Sequence, residues 1–186
     1  MRTKEVAKAV KNDDIVIAAR LKEQEYWVGS IYALVKMDQD QFSSFRKKFN
    51  SYANTEKIPE NIEVGQSYHN KDGAFKEDGP DITAVIDRYN EDLQTVYRTN
   101  FTYQDDKFNR VLKLYSVNDT LSAYNSKYDR VIDQFNRYHA VDHRRPIRCY
   151  EGDELKAVVM PVNLYALNDL YFEYEDLVEL ELPERR

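Results

Sequence analysis

The spacing of apolar and polar residues predicts helices and short strands along most of the chain. From Thr3 to Asn12, small apolar residues fall on one side and lysines on the other, which is typical of a short helix. Ile15 to Lys22 is an apolar run of strand length, and a second run from Tyr26 to Met37 is interrupted at Gly29-Ser30, which we interpret as a bend or bulge. Asp38 to Tyr52 repeats phenylalanine at helical spacing, which predicts a longer amphipathic helix.

The middle of the chain contains a segment rich in turn-forming residues and a pair of strands. Residues 54–80 mix Pro, Gly and Asn with many charges, so we expect a mobile insertion in which little is buried. Residues 81–89 predict a short helix capped by its first aspartate. Residues 93–103 and 108–117 predict two antiparallel strands, and Asp105-Asp106-Lys107 makes their turn.

A helix followed by a hairpin is predicted between residues 124 and 164. Asn125-Ser126 favours a helix start, because a short polar side chain can accept a bond from a free first-turn N–H. Five apolar side chains then recur at three- and four-residue spacing and predict one buried helical face: Tyr128, Val131, Ile132, Phe135 and Tyr138. Two strand-like runs flank Glu151-Gly152-Asp153, which indicates a hairpin turn.

The last 22 residues, 165–186, form an acidic and aromatic extension. Its apolar residues share a helical face, although residues 171–182 also fit a strand. We expect this extension to pack on the domain, since its apolar stripe is otherwise exposed to water. Its carboxylates could form an acidic partner surface, made of Asp169, Glu173, Glu175, Asp176 and Glu179.

Several segments, taken in order, resemble a domain of the bacterial DNA polymerase sliding clamps. The resemblance lies in Tyr124-Asn125-Ser126-Lys127-Tyr128, in Pro146-Ile147 and in Val159-Met160-Pro161-Val162-Asn163-Leu164. It extends to residues 3–37, where Trp27 to Val35 is similar to a strand segment of those domains. The sequence departs from the clamp pattern at Asn163, where clamps have Arg, and in the missing Asp-Gly of the earlier strand.

The resemblance implies an α+β fold in which two helices pack on an antiparallel sheet. Residues 1–164 would form one clamp-like domain with an insertion at about 54–80, and residues 165–186 a C-terminal extension. Clamp rings contain six such domains, so a ring of this chain would require a homo-oligomer.

Clamp helices present basic side chains to the DNA backbone, which they contact without reading its sequence. By resemblance, that role falls to six residues: Lys4, Lys8, Lys11, Lys127, Arg130 and Arg137. The alternative is ordinary solvated helix charge, which the neighbouring acidic residues favour.

The residues before the end of the clamp fold wall a hydrophobic pocket that accepts short peptides from polymerases and repair proteins. The corresponding residues here are Met160, Pro161 and Val162, and a flexible Met beside a rigid Pro suits adaptable binding. The alternative is an edge strand whose proline prevents further pairing.

Composition excludes some functions and leaves others open. The net charge of −6 and the pI near 5.2 do not favour a polyanion as partner of the whole surface, although a local basic face remains possible. A single cysteine, the absence of a signal-peptide pattern and the absence of long apolar runs lead us to expect a cytoplasmic protein that is not in a membrane.

No catalytic motif is recognisable, and we expect neither an enzyme nor a cofactor. His139, His143 and Cys149 are close in sequence, but a fourth metal ligand at suitable spacing is missing, so we expect no metal site.

The sequence therefore predicts a binding protein, similar to phage or mobile-element products, that acts on nucleic-acid machinery by contacting DNA or a replication partner. The alternative is a small acidic inhibitor of a basic nucleic-acid-handling host enzyme, as DNA-mimic and anti-CRISPR proteins are.

Overall fold

The computed structural model describes residues 1–52, 57–71, 74–77, 79–87 and 92–162. This part of the chain contains four α-helices: α1 (Thr3–Val10), α2 (Gln39–Tyr52), α3 (Thr83–Asp87) and α4 (Asp129–Ile132). Its first strands are β1 (Val16–Lys22), β2 (Glu25–Ser30), β3 (Ala33–Met37), β4 (Ser67–Lys71), β5 (Ala74–Lys76) and β6 (Gln94–Thr95). The remaining strands are β7 (Tyr97–Asp105), β8 (Arg110–Val117), β9 (Thr120–Asn125), β10 (Arg137–Ala140), β11 (Ile147–Glu151) and β12 (Glu154–Val159).

The strands form one large and one small sheet, both antiparallel. The large sheet has nine strands in the order β5-β4-β1-β2-β3-β12-β11-β10-β6, and the small sheet has the order β7-β8-β9. At the centre of the large sheet β3 pairs with β12, so Val35 lies opposite Ala157. On each side of this pairing the chain runs as a helix followed by three antiparallel strands. The predicted α+β class and antiparallel sheet are confirmed, with four helices where the clamp resemblance implies two.

Strand alternation divides the core between the two faces of the large sheet. Val16 and Ala18 of β1 point to the face covered by α1, α2, α4 and the small sheet. Ile17 and Ala19 point to the opposite face, where α3 packs through Ile86. The predicted helix at residues 38–52 is confirmed as α2, and its three phenylalanines are buried in the core. Burial of each such ring contributes about 1.5–3 kcal/mol relative to an exposed ring.

The helix predicted from Asn125 begins as expected but is much shorter. The Asn125 side chain accepts a hydrogen bond from the Lys127 N–H at 3.1 Å, and α4 then ends at Ile132. After Asp133 the helical ladder tightens, since the Gln134 N–H donates to Val131 O at 3.3 Å and the Phe135 N–H to Ile132 O at 3.0 Å. The Asn136 N–H then donates to Tyr150 O on β11 at 3.3 Å. The interpretation of Tyr138 as a helical core residue is therefore wrong, since it lies on β10.

The apolar run from Tyr26 to Met37 consists of two strands, β2 and β3, that turn at Ile31-Tyr32. Gly29 lies inside β2 and does not make the turn. A Cβ built on Gly29 would lie 1.9 Å from Ala33 O, so the two strands approach each other too closely for any side chain at this position.

Residues 54–80 contribute more to the fold than predicted. The expectation that little of this stretch is buried is wrong at Ile58 and Ile62, which both belong to the main core. Strand β4 also extends the large sheet, with His69 opposite Ile17 of β1. The mobility of this stretch stays a prediction, and the extension at residues 165–186 lies outside the described residues.

Candidate functional site

The segment that follows β12 crosses from the large sheet to the small sheet. The Met160 N–H donates to Tyr32 O at 2.8 Å, and the Val162 N–H donates to Ala123 O of β9 at 2.7 Å. Pro161, between them, has no N–H to donate. These residues form one wall of a surface cleft with a volume of about 570 Å³. The three residues that the clamp resemblance assigns to a peptide pocket thus line one cleft.

Three exposed apolar side chains line this cleft beside its polar residues. Tyr32, Phe108 and Met160 all line it, and they are 41%, 55% and 36% exposed. Ile31, next to Tyr32 in the same turn, is also an exposed large hydrophobic residue. Single exposed apolar side chains are common, whereas several around one concavity indicate an interaction site. We call this site the Met160 cleft.

The floor of the Met160 cleft is a connected polar network. The buried carboxylate of Asp13 accepts hydrogen bonds from Lys127 Nζ and, at 2.5 Å, from the Tyr128 hydroxyl. Tyr128 Oη also lies 3.0 Å from Ser30 Oγ. Burial raises the pKa of Tyr128, and the negative charge of Asp13 raises it further. Asp13 therefore neutralises the charge of Lys127, which lines the cleft.

A second feature is the basic surface of α1 and α2, on the helical face of the large sheet. Lys4, Lys8 and Lys11 are exposed along α1. The Lys8 ammonium lies 3.7 Å from Glu5, and Arg130 on the neighbouring α4 lies 3.6 Å from the same carboxylate. Four of the six predicted DNA-facing residues therefore belong to one helical surface, although Glu5 neutralises part of it.

Helix α2 adds lysines to this surface that the clamp resemblance does not assign. Lys47 is exposed, and Lys48 lies 5.2 Å from the ring of Tyr52, which Lys11 of α1 approaches to 5.3 Å. In the described part of the chain, none of Lys4, Lys11, Lys47 and Lys48 has a carboxylate within 4.0 Å.

The basic charge of these two helices contrasts with the charge of the whole chain. Residues 1–11 and 39–52 together contain seven basic and two acidic side chains, a net charge of +5, whereas the chain carries −6. The charges are therefore segregated on the molecule. We call the surface of Lys4, Lys8, Lys11, Lys47 and Lys48 the lysine face.

Arg137 does not belong to the lysine face. Its predicted position on one flank of a helix with Lys127 and Arg130 is wrong because the helix ends before it. Arg137 lies on β10, where its Nη1 donates to Gly152 O at 3.0 Å and to Asp153 at 2.7 Å. Its charge is paired with that of Asp153 in the β11–β12 turn.

The histidines and the cysteine do not form a reactive site. Cys149 is fully buried in the core, and burial raises the pKa of its thiol to about 12. Burial also lowers the pKa of His139, and the charge of Arg137 adds to this effect. Among the residues that the structure describes, no group of three His, Cys, Asp or Glu side chains could hold a metal ion.

An acidic groove of about 510 Å³ lies on the opposite face of the large sheet, beside α3. It is lined by the carboxylates of Glu25, Glu77, Asp81 and Asp87 and by a single lysine, Lys22. The acidic residues that the sequence analysis assigns to a partner surface, Asp169 to Glu179, all lie outside the described residues.

Comparison with known proteins gave no relative of this chain: no protein-family model, curated protein or solved structure matches it. Over the described residues, no helix has the length and hydropathy needed to span a bilayer. Sequence reasoning identified Met160, Pro161 and Val162 but missed the other wall of the cleft. Tyr32 and Phe108 come from distant turns, and no local pattern connects them to Met160.

Proposed function

We propose that this chain is a non-enzymatic binding protein that acts on nucleic-acid machinery, and that it captures a short linear peptide of a nucleic-acid-processing protein in the Met160 cleft. The observation that carries this proposal is the meeting of Met160, Pro161 and Val162 with exposed Tyr32 and Phe108 around one concavity. The resemblance to sliding clamps assigns the same task to the same three residues, which supports the proposal.

The dimensions and chemistry of the cleft fit a peptide. Its volume of about 570 Å³ lies within the range of roughly 300–1,000 Å³ that is usual for ligand sites. A flexible Met can adapt to different apolar side chains, while the polar network of Asp13 and Tyr128 fixes the floor. A partner therefore needs to supply two or three apolar side chains on an extended segment.

Selection from a random peptide library tests this function. The full chain is immobilised, peptides are selected by phage display, and their affinities are measured by fluorescence anisotropy. We expect Met160→Lys to weaken binding by more than about tenfold, because it places a charge in the apolar rim. Val64→Lys is the matched control, since Val64 is 54% exposed and does not line the cleft. Failure to select any peptide, or equal weakening by both variants, would contradict the proposal.

A second candidate function is binding of the DNA backbone by the lysine face. The observation that favours it is the net charge of +5 on residues 1–11 and 39–52 of an acidic protein. Contacts of this kind are independent of base sequence and weaken steeply with salt, because each one releases counterions. The partner of such a surface is a nucleic-acid duplex with no sequence preference.

A gel-shift titration with a random-sequence duplex at low ionic strength tests this candidate. We expect a shift that disappears at high salt and that the triple variant Lys4→Glu, Lys11→Glu, Lys47→Glu abolishes. The control triple variant changes the exposed Lys22, Lys76 and Lys107 to Glu, so it alters net charge equally outside the two helices. Absence of a shift with the unmodified protein would exclude the lysine face as a DNA site.

The inhibitor hypothesis predicts the opposite behaviour in the same experiment. An acidic inhibitor binds no DNA, captures a basic nucleic-acid enzyme and loses that enzyme when its carboxylates are neutralised. In the described residues, the acidic groove beside α3 is where such a partner would bind. Changing Asp81 and Asp87 to Asn would then release the enzyme and leave the Met160 cleft intact.

A further inference from the structure

Arg110 is held in a fixed position at the edge of the Met160 cleft. It is the first residue of β8, and it lies opposite Asp105, the last residue of β7. Its Nε donates to Asp105 Oδ2 at 2.8 Å, and its guanidinium lies 4.7 Å from the ring centre of Phe108. The Asp105 side chain is buried, and Asn109 between Phe108 and Arg110 adopts a left-handed conformation with φ 47°. The hydrogen bond to Asp105 and the contact with the Phe108 ring therefore both restrict the orientation of the guanidinium.

Among the described residues, the outer part of this guanidinium contacts no hydrogen-bond acceptor. Within the described part of the chain, Arg110 makes one hydrogen bond, through Nε, and neither Nη group donates to an acceptor. Arginine carries five N–H donors in a planar fork that matches the two oxygens of a carboxylate. A fork held by a buried carboxylate and an aromatic ring has lost most of its freedom before a ligand arrives.

The other basic side chain of the cleft is different. Lys127 Nζ donates to Asp13 and lies over two rings, 5.0 Å from that of Tyr128 and 5.8 Å from that of Tyr32. Its ammonium is thus paired with the buried carboxylate of the cleft floor, while the side chain stays 34% exposed. Arg110 differs in that, among the residues that the structure describes, both of its Nη groups remain available for a ligand.

We propose that Arg110 binds a carboxylate of the incoming peptide, so that the Met160 cleft selects apolar segments that carry an acidic group beside their apolar side chains. This inference rests on the proposed peptide-binding function. The carboxylate can come from an Asp or Glu side chain or from a free C-terminus, because the fork accepts either. Asp105 already neutralises part of the Arg110 charge, so we expect the acidic group to improve affinity by about tenfold and not more.

The test uses synthetic fluorescein-labelled octapeptides in which two central positions are a mixture of Leu, Met and Phe. One peptide mixture has flanking Asp residues and an amidated C-terminus, a second has Asn in place of Asp, and a third has Asn and a free C-terminus. The full chain and the Arg110→Lys variant are compared by anisotropy. Lysine keeps the charge opposite Asp105 but loses the fork, and thermal melting checks that the variant is folded.

We expect the unmodified chain to prefer the Asp mixture over the amidated Asn mixture by about tenfold, and the ratio of these two affinities to fall to about one in Arg110→Lys. A preference for the third mixture alone would identify a C-terminal carboxylate as the ligand group. Equal binding of all three mixtures, or a preference that survives in Arg110→Lys, overturns the inference and leaves the peptide-binding function standing. Binding of none of them overturns both.

Discussion

A single arginine joins the small sheet to the large sheet, and its removal should destabilise the fold measurably. Arg98 on β7 donates to Asp129 and Asp133 on the α4 side at 2.5 Å each and to the Tyr124 hydroxyl at 3.2 Å. Its guanidinium also lies 5.4 Å from the ring centre of Tyr138 on β10. The side chain is only 18% exposed, so most of these contacts are shielded from water.

The expected cost of Arg98→Met follows from these contacts. Losing one partner of a fully buried ion pair costs about 3–5 kcal/mol, because the remaining charge is left unpaired. The two carboxylates are 30% and 54% exposed, so water can solvate them in the variant and the cost is reduced. We expect the free energy of unfolding to fall by about 2 kcal/mol. This value includes the contribution of the cation–π contact between Arg98 and Tyr138.

Urea unfolding followed by circular dichroism measures this loss as a change in midpoint at constant slope. The matched control is Arg137→Met, because Arg137 also pairs with an aspartate but Asp153 is 98% exposed, and we expect no resolvable change there. Arg98→Lys should fall between the two, since lysine keeps the charge but cannot bridge both carboxylates. If Arg98→Met and Arg137→Met have the same midpoint, the network does not hold the two sheets together.

Three other changes test the fold. Burial tends to raise the pKa of the Glu25 carboxyl, but hydrogen bonds and lysine charges outweigh burial and lower this pKa below the usual 4.5. Hydrogen bonds from lysines also lower the pKa of Glu154. Their stabilisation is present above pH 4.5 and is lost as the pH falls through the lower folded-state values, so Glu25→Gln should lower the urea midpoint more at pH 7 than at about pH 3. Gly29→Ala should cost more than about 2 kcal/mol in the same assay, because its Cβ meets Ala33 O, and an unchanged midpoint would show that the hairpin can relax. Deleting residues 165–186 should lower the melting temperature or the solubility, whereas identical melting would show that the extension is independent of the domain.

The parts of the fold that the sequence predicted are those determined by local pattern. Helix α2 was recognisable because Phe42, Phe45 and Phe49 repeat on one helical side and all three are buried. The β11–β12 hairpin was recognisable because Gly152 supplies a positive φ of 61° between two strand-like runs. In both cases the residues that form the structure are neighbours in the chain, so a short window contains the information.

The parts that the sequence did not predict depend on contacts between distant segments. Helix α4 ends at Ile132 and Asn136 then bonds to β11, a later strand, so Arg137 lies on β10 and not on the predicted helical surface. Tyr32 and Phe108 reach the Met160 cleft through a turn of the large sheet and a turn of the small sheet. Apolar residues at turns look like ordinary surface exposure when the sequence is read locally, so only the tertiary arrangement shows that they share a site.

The β3–β12 pairing affects how this protein folds during its synthesis on the ribosome. Val35 and Ala157 are opposite each other in the sheet although 122 positions separate them in the chain. At a synthesis rate of about 5–20 residues per second, β12 is synthesised roughly 6–25 s after β3, and the edge of β3 that pairs with it stays unpaired during this time. During that interval an apolar hairpin presents open backbone groups that can pair with another nascent chain. Production in a host should therefore improve when a chaperone that shields nascent strands is supplied.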